Sequence, residues 1–180
     1  KFSNTFFYIV GQTHPEILKN EGEKYRKELI LLAKELGVDK NVKFVNKYLP
    51  LKKLLQYYEA CDVCLTPHIK SEQVSSGTLA YAIGMGKPCI STPYLYALDV
   101  LGEGRGILVD FKNSEQVSSS VLEIFKNPFL ENKISNNAYF LGRKMSWSRV
   151  SLSYLNLFRL NIYHKRNARN KLQTFKLSNR

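Results

Sequence analysis

Apolar residues in this chain fall into two rhythms. Short unbroken runs at Thr5–Val10 (TFFYIV), Val42–Val45, Val63–Thr66, Pro88–Ser91 and Gly106–Val109 leave no polar face, which predicts strands covered on both sides. Between them the apolar positions open to a spacing of three and four. Tyr25, Leu29, Leu32, Ala33 and Leu36 mark a helix over Glu21–Leu36 that Gly37 stops. Leu51, Leu54, Leu55 and Tyr58 mark a shorter one, and Thr78–Gly84 a helix of small residues. Asn113 stands where the cap of another belongs, running to Lys126. After Asn127-Pro128 the pattern turns wholly helical, over 130–142 and 146–163. Strands alternating with helices, each strand a continuous apolar run, predict an α/β fold: a Rossmann-like, doubly wound parallel sheet followed by C-terminal helices. Residues 1–163 are expected to form one domain, and 164–180 a basic tail without a convincing period, expected to be disordered.

Sheets of this kind collect ligands outside the carboxyl ends of their strands. The loops there carry Thr13, His14, Asn46, Lys47, Tyr48, His68, Lys70, Gln73, Ser75 and Ser76, a polar rim suited to a phosphorylated ligand. The stretch Ser75-Ser76-Gly77-Thr78 opens a helix at the same edge. A helix mouth has unpaired N–H groups and a partial positive charge, and a glycine there lets an anion approach the backbone. An ordinary Ser or Thr cap explains the same residues with no ligand at all. His14 and His68 are each equally well explained as loop residues.

Charge changes the picture at one end only. The net charge is +12, yet eleven bases and no acid follow Glu131, so the basic character belongs to the last quarter. Such a tail is compatible with solvation or with an anionic membrane surface; nucleic acid is not expected, because no stacking-aromatic pattern accompanies it. No apolar run approaches the roughly 18 residues of a spanning helix, and the expected location is cytoplasmic, peripheral to a membrane if the tail binds one. Cys61 and Cys64 form a C-x-x-C, but no second pair at zinc spacing follows, so small buried thiols are expected and no metal.

The segments Asp62–Pro67 (DVCLTP), Gln73–Tyr94 (QVSSGTLAYAIGMGKPCISTPY) and Gly104–Val109 (GRGILV), with Ser146-Trp147-Ser148 near the end, resemble the carboxy-terminal domain of GT-B retaining glycosyltransferases, the group 1 or family 4 enzymes. The resemblance covers about residues 5–155, and Gly86-Lys87-Pro88 is its most specific anchor. It implies the nucleotide-sugar-binding half of a two-lobed enzyme: a hexosyltransferase-like activity with retention, no cofactor and no metal. It also implies a partner, the amino-terminal acceptor domain, and diphosphate-gripping Arg and Lys residues that lie before the first strand, where this sequence has Lys1–Asn4. Both are expected to be missing from the 180 residues, leaving the fragment inactive alone. Carried over, the backbone N–H groups of Ser75, Ser76 and Gly77 would hold the diphosphate, with Thr78 beside them in the donor site, Gln73 would touch the sugar as the catalytic-site residue, and Tyr81 would lie by the ribose. Asn46, Lys47 and Tyr48 would line the base, with Thr13, His14 and Lys70 as further donor-site candidates. Anchoring on Gly86 and Pro88 sets the family's Glu-x7-Glu acids at Gln73 and Tyr81, whereas a slide of one residue would set them at Glu72 and Ala80. A non-catalytic sugar-nucleotide-binding or interaction module is the alternative.

Overall fold

The described strands are all parallel, but they hydrogen-bond into two sheets rather than one. The structure is a computed structural model that describes residues 4–178, with side chains as far as residue 167. It divides into two compact units, Lys1–Gln56 and Tyr57–Arg180, where the apolar pattern alone draws one domain over 1–163.

The first unit contains β1 (Phe7–Val10), α1 (Pro15–Glu21), α2 (Lys24–Glu35), β2 (Val42–Val45) and the first turns of α3 (Leu51–Ala60). β1 and β2 pair in register from Phe7 opposite Val42 to Val10 opposite Val45. The chain leaves β1 through Gly11 at φ +134°, a conformation that L side chains rarely adopt. The expectation of a strand buried on both faces is corrected here: Phe6, Phe7 and Tyr8 are each about half exposed. Ala33 is the sole fully buried residue among those described at 4–56. A two-stranded sheet is too narrow to cover both of its faces.

The second unit contains the rest of α3, β3 (Cys64–Thr66), α4 (Gly77–Gly84), β4 (Cys89–Ser91), α5 (Leu95–Leu101), β5 (Ile107–Leu108), α6 (Ser114–Lys126), α7 (Pro128–Lys144) and α8 (Trp147–Ser178). The strand order is β3-β4-β5, with Cys64 opposite Cys89 and Ile90 opposite Ile107. Its core is Ile90, Val109, Ile124 and Ile134, flanked by Val63, Leu65, Val117, Val121, Phe125 and Leu130. Asn113 caps α6 as expected, accepting from the Gln116 N–H at 3.0 Å. Pro128 opens α7 at its first position, and Asn127 caps it through the Leu130 N–H at 3.1 Å.

Two helix ends are closed by distant cations. Lys87 Nζ donates to the Glu59 and Cys61 carbonyls at 2.7 and 2.9 Å, at the end of α3. Arg143 of α7 donates to the Gly84 carbonyl at 2.7 Å, at the end of α4, while its guanidinium lies 4.8 Å from the Tyr139 ring centre. α4 and α7 come close enough for this because Gly142 presents bare backbone to Gly84. α8 continues to Ser178 rather than stopping at Tyr163, since its sequence holds no Gly or Pro to break it.

Candidate functional site

The second unit builds its site at the carboxyl ends of β3 and β4. These ends are tied to each other by side chains: Thr66 Oγ1 donates to Ser91 Oγ at 3.0 Å, and Ser91 Oγ lies 2.9 Å from the Thr66 carbonyl. Both residues are buried, so the pair satisfies polar groups that would otherwise be costly. Beyond β3 the chain turns through Pro67 and His68, where the Thr92 hydroxyl donates to the His68 carbonyl. The ring of His68 stands edge-on to that of Tyr94, with centres 4.8 Å apart and planes at 88°.

The loop that follows serves as the cap of α5. Tyr94 offers that helix no side-chain cap. Instead the Leu95 and Tyr96 N–H groups donate to the carbonyls of Ser71 and Gln73, at 2.9 and 3.1 Å. A loop held by a helix's unpaired donors arrives at α4 in a set position. There Ser76 is the N-cap: its backbone is extended, its side chain is buried, and its Oγ accepts from the Leu79 N–H at 3.2 Å. The simple capping role anticipated for a Ser in this place is therefore real, and this hydroxyl is engaged by the helix itself. Ser76→Ala is expected to destabilise the chain by about 1 kcal/mol in chemical denaturation.

The rest of the helix mouth is open. Ser75, Gly77 and Thr78 are exposed, and no heavy atom lies within 4 Å of where a Gly77 side chain would begin. Among the described residues no hydrogen bond engages the N–H of Gly77 or Thr78, which have no intrahelical acceptor. Gln73 donates from Nε2 to the Ser75 carbonyl at 2.9 Å, with the same nitrogen 3.5 Å from His68 Nε2. Tyr81 projects from α4, 40% exposed, its ring 6.3 Å from that of Tyr58, whose hydroxyl donates to the Thr78 carbonyl at 3.2 Å. Burial pushes the Tyr58 hydroxyl up to about 12, so it stays a neutral donor. Lys70 is exposed and makes no described contact with this set.

Thr13, His14, Asn46, Lys47 and Tyr48 belong to the first unit. Thr13 Oγ1 donates to Glu23 Oε2 at 2.8 Å, Arg26 Nε to the same oxygen at 2.9 Å, and Asn46 Nδ2 to Oε1 at 3.4 Å. Arg26 also reaches the Gly11 carbonyl at 3.0 Å, leaving its Nη1 buried without a partner beside a cleft of about 560 Å³. His14 is the N-cap of α1, its Nδ1 accepting from the Glu16 N–H at 3.3 Å. Lys47 and Tyr48 are exposed, Tyr48 to 80%. The structure therefore gathers Thr13 and Asn46 around Glu23 and Arg26, two residues that the rim pattern did not single out.

The Thr13 hydroxyl, with help from Arg26 and Asn46, holds the Glu23 carboxyl below its usual value. A lowered carboxylate pKa favours the folded state above the ordinary carboxylate range, and that contribution is lost as pH falls through the lowered value. Thr13→Ala is expected to raise the Glu23 pKa, as read by NMR titration.

The thiols play no part in either set. Contact with Cys64 and burial push Cys61 far above the usual thiol range. In Cys64 the hydrogen bond with Cys61 lowers the value, but contact with Cys89 and burial outweigh it and carry the thiol up to about 12. No group of three or more metal-ligating side chains forms among the described residues.

Residues 1–140 match the family model described as glycosyl transferases group 1. No curated protein matches the chain. Among solved structures, the C-terminal domain of a glycosyl transferase group 1 family protein (LpcC) from Francisella tularensis superposes with a TM-score of 0.66 at 21% identity, over 78% of this chain and 69% of that one. HepE of Anabaena, in complex with UDP, superposes with a TM-score of 0.69 at 19% identity, over 87% of this chain and 41% of that one. Sucrose-phosphate synthase of Thermosynechococcus elongatus gives 0.69 at 19% identity, over 87% of this chain and 38% of that one. At these identities the likeness is one of fold, Rossmann-like and of the GT-B kind, and the chain spans about two fifths of the length of the last two proteins.

Proposed function

The chain belongs to the group 1 glycosyl transferases, and on that premise we propose that it is the donor half of an enzyme transferring a sugar from a nucleotide-diphosphate sugar. The observation that carries the reading is the mouth of α4, where backbone donors stand open, no side chain covers Gly77, and the approaching loop is held by α5. A diphosphate would be held by the N–H groups of Ser75, Gly77 and Thr78, which stabilise the charge that grows on it as the glycosidic bond breaks. Ser76 positions that mouth as its cap. Gln73 would meet the sugar and Tyr81 the ribose. In this reading the configuration is retained, the leaving diphosphate takes the acceptor's proton, and no metal or cofactor is required. In the same reading the acceptor is bound by a partner domain rather than by this one. That the solved HepE structure holds UDP supports a nucleoside diphosphate as the ligand class.

Calorimetric titration of the chain with UDP, GDP, ADP and their sugar conjugates tests this. Saturable binding of one nucleotide is expected, and it would name the base. Silence toward all of them at millimolar concentration would move the weight to a non-catalytic interaction module.

α8 supports a second partner. Trp147 is 87% exposed, Tyr154, Phe158, Leu160 and Tyr163 are each more than half exposed, and Arg149, Arg159, Lys165 and Arg166 lie among them with no acid. Aromatic and basic residues mixed on one exposed helix suit the surface of an anionic membrane. No described helix is long and apolar enough to cross one. Cosedimentation with vesicles containing anionic lipid, but not with neutral ones, is the expected result.

A further inference from the structure

We infer that His68 is a positioning residue that turns the Gln73 amide so that it offers the sugar an acceptor; this rests on the donor-site reading above. The amide's orientation follows from its neighbours. A carbonyl oxygen only accepts, so the end of the amide 2.9 Å from the Ser75 carbonyl must be the NH2 group. That nitrogen has a second proton, and the atom beyond it is His68 Nε2, at 3.5 Å. An Nε2 that itself carried a proton would set two donors face to face. For the contact to be a hydrogen bond, Nε2 must be the acceptor, which is the tautomer that carries its proton on Nδ1.

The His68 ring cannot easily turn away from this duty. Its backbone N–H donates to the Thr66 carbonyl at 2.9 Å, and its carbonyl accepts from Thr92. Its ring meets Tyr94, which has no exposed surface. With both NH2 protons directed inward, Gln73 has only Oε1 left to present, and no hydrogen bond among the described residues engages that oxygen. An amide turned in this way recognises a hydroxyl as a donor, as a carboxylate would, without adding negative charge next to a diphosphate. Without His68 the Ser75 carbonyl alone would restrain the amide, and the amide would sample the opposite orientation, presenting NH2 instead.

Two experiments on the whole chain test this. In the 15N-labelled protein without ligand, long-range proton–nitrogen spectra are expected to show His68 protonated at Nδ1 and bare at Nε2. A proton on Nε2 overturns the inference whether or not any nucleotide binds. The second experiment is a double-mutant cycle with His68→Phe, which keeps a ring against Tyr94, and Gln73→Glu, whose carboxylate accepts in either orientation. The probes are whichever of UDP, GDP and ADP saturates the wild type, and its glucose conjugate. His68→Phe is expected to weaken the sugar nucleotide about five- to tenfold while sparing the bare nucleotide, and to cost nothing further in the Gln73→Glu background. An equal loss in both backgrounds, or an equal loss for both probes, would mean that His68 acts only through the fold. Failure of the wild type to bind any nucleotide would overturn the donor-site reading and with it the sugar contact, while the tautomer separately decides how the amide is turned.

Discussion

Gly77→Asp is expected to weaken nucleotide-diphosphate binding by about a hundredfold without lowering the melting temperature. The position accepts a side chain: nothing lies within 4 Å of the new Cβ, and the residue opens α4 with no left-handed φ. An acid in the first turn of a helix interacts favourably with its dipole, by roughly 0.3–1 kcal/mol, so stability is held or raised. The same carboxylate would share the helix mouth with a seated diphosphate. Like charges about 5 Å apart, in surroundings of effective dielectric about 20, repel by roughly 3 kcal/mol, or about two decades in affinity. Gly77→Ala adds the bulk without the charge and is expected to cost less than tenfold. Thermal scans beside calorimetry check both. An Asp variant that bound as the wild type does would remove the diphosphate from the α4 mouth.

Gly142→Ala is expected to produce the opposite result, a protein destabilised by about 3 kcal/mol, with a melting temperature lower by roughly 10 °C. A Cβ at 142 would sit 2.6 Å from Gly84 Cα and 2.7 Å from the Ile83 carbonyl oxygen. Both obstacles are backbone, so no rotamer change relieves them, and α7 must move off α4. That movement also strains the Arg143 bond that closes the end of α4. The reciprocal change, Gly84→Ala, meets nothing within 4 Å and is expected to be nearly silent. Thermal unfolding of the two variants side by side tests the close approach. Equal stability would mean that the helices do not touch at these glycines.

Much of the fold was legible because its signals are local. Each predicted strand appears, within a residue or two at the ends, since an apolar run bounded by turn residues needs no distant information. α6 was legible from Asn113, and α4 from its small residues and Ser-Ser-Gly-Thr opening. α1 and α5 were not. α1 is seven residues long and capped by a histidine, an unusual cap. α5 reads LYALDVL, too uniformly apolar to show a helical period, and its first donors are satisfied by carbonyls more than twenty positions upstream. The candidate site divides in the same way. Ser75-Ser76-Gly77 announced a helix mouth, but which hydroxyl caps it and which residues remain open depended on side-chain direction. Glu23 and Arg26 carry no local mark in the sequence, because Thr13, Gly11 and Asn46 reach them only through the fold.

By itself, then, the sequence determined the strands and their parallel character, the helices other than α1 and α5, and the family, each carried by signals a few residues long. Only the tertiary structure decided that the strands form two sheets, that Gly77 is open while Gly142 is closed, and that His68 stands where it can orient Gln73. The reason is physical. Helix and strand propensity act over a few bonds, whereas the space around a glycine and the neighbours of an amide depend on segments far apart in the chain, brought together only by packing.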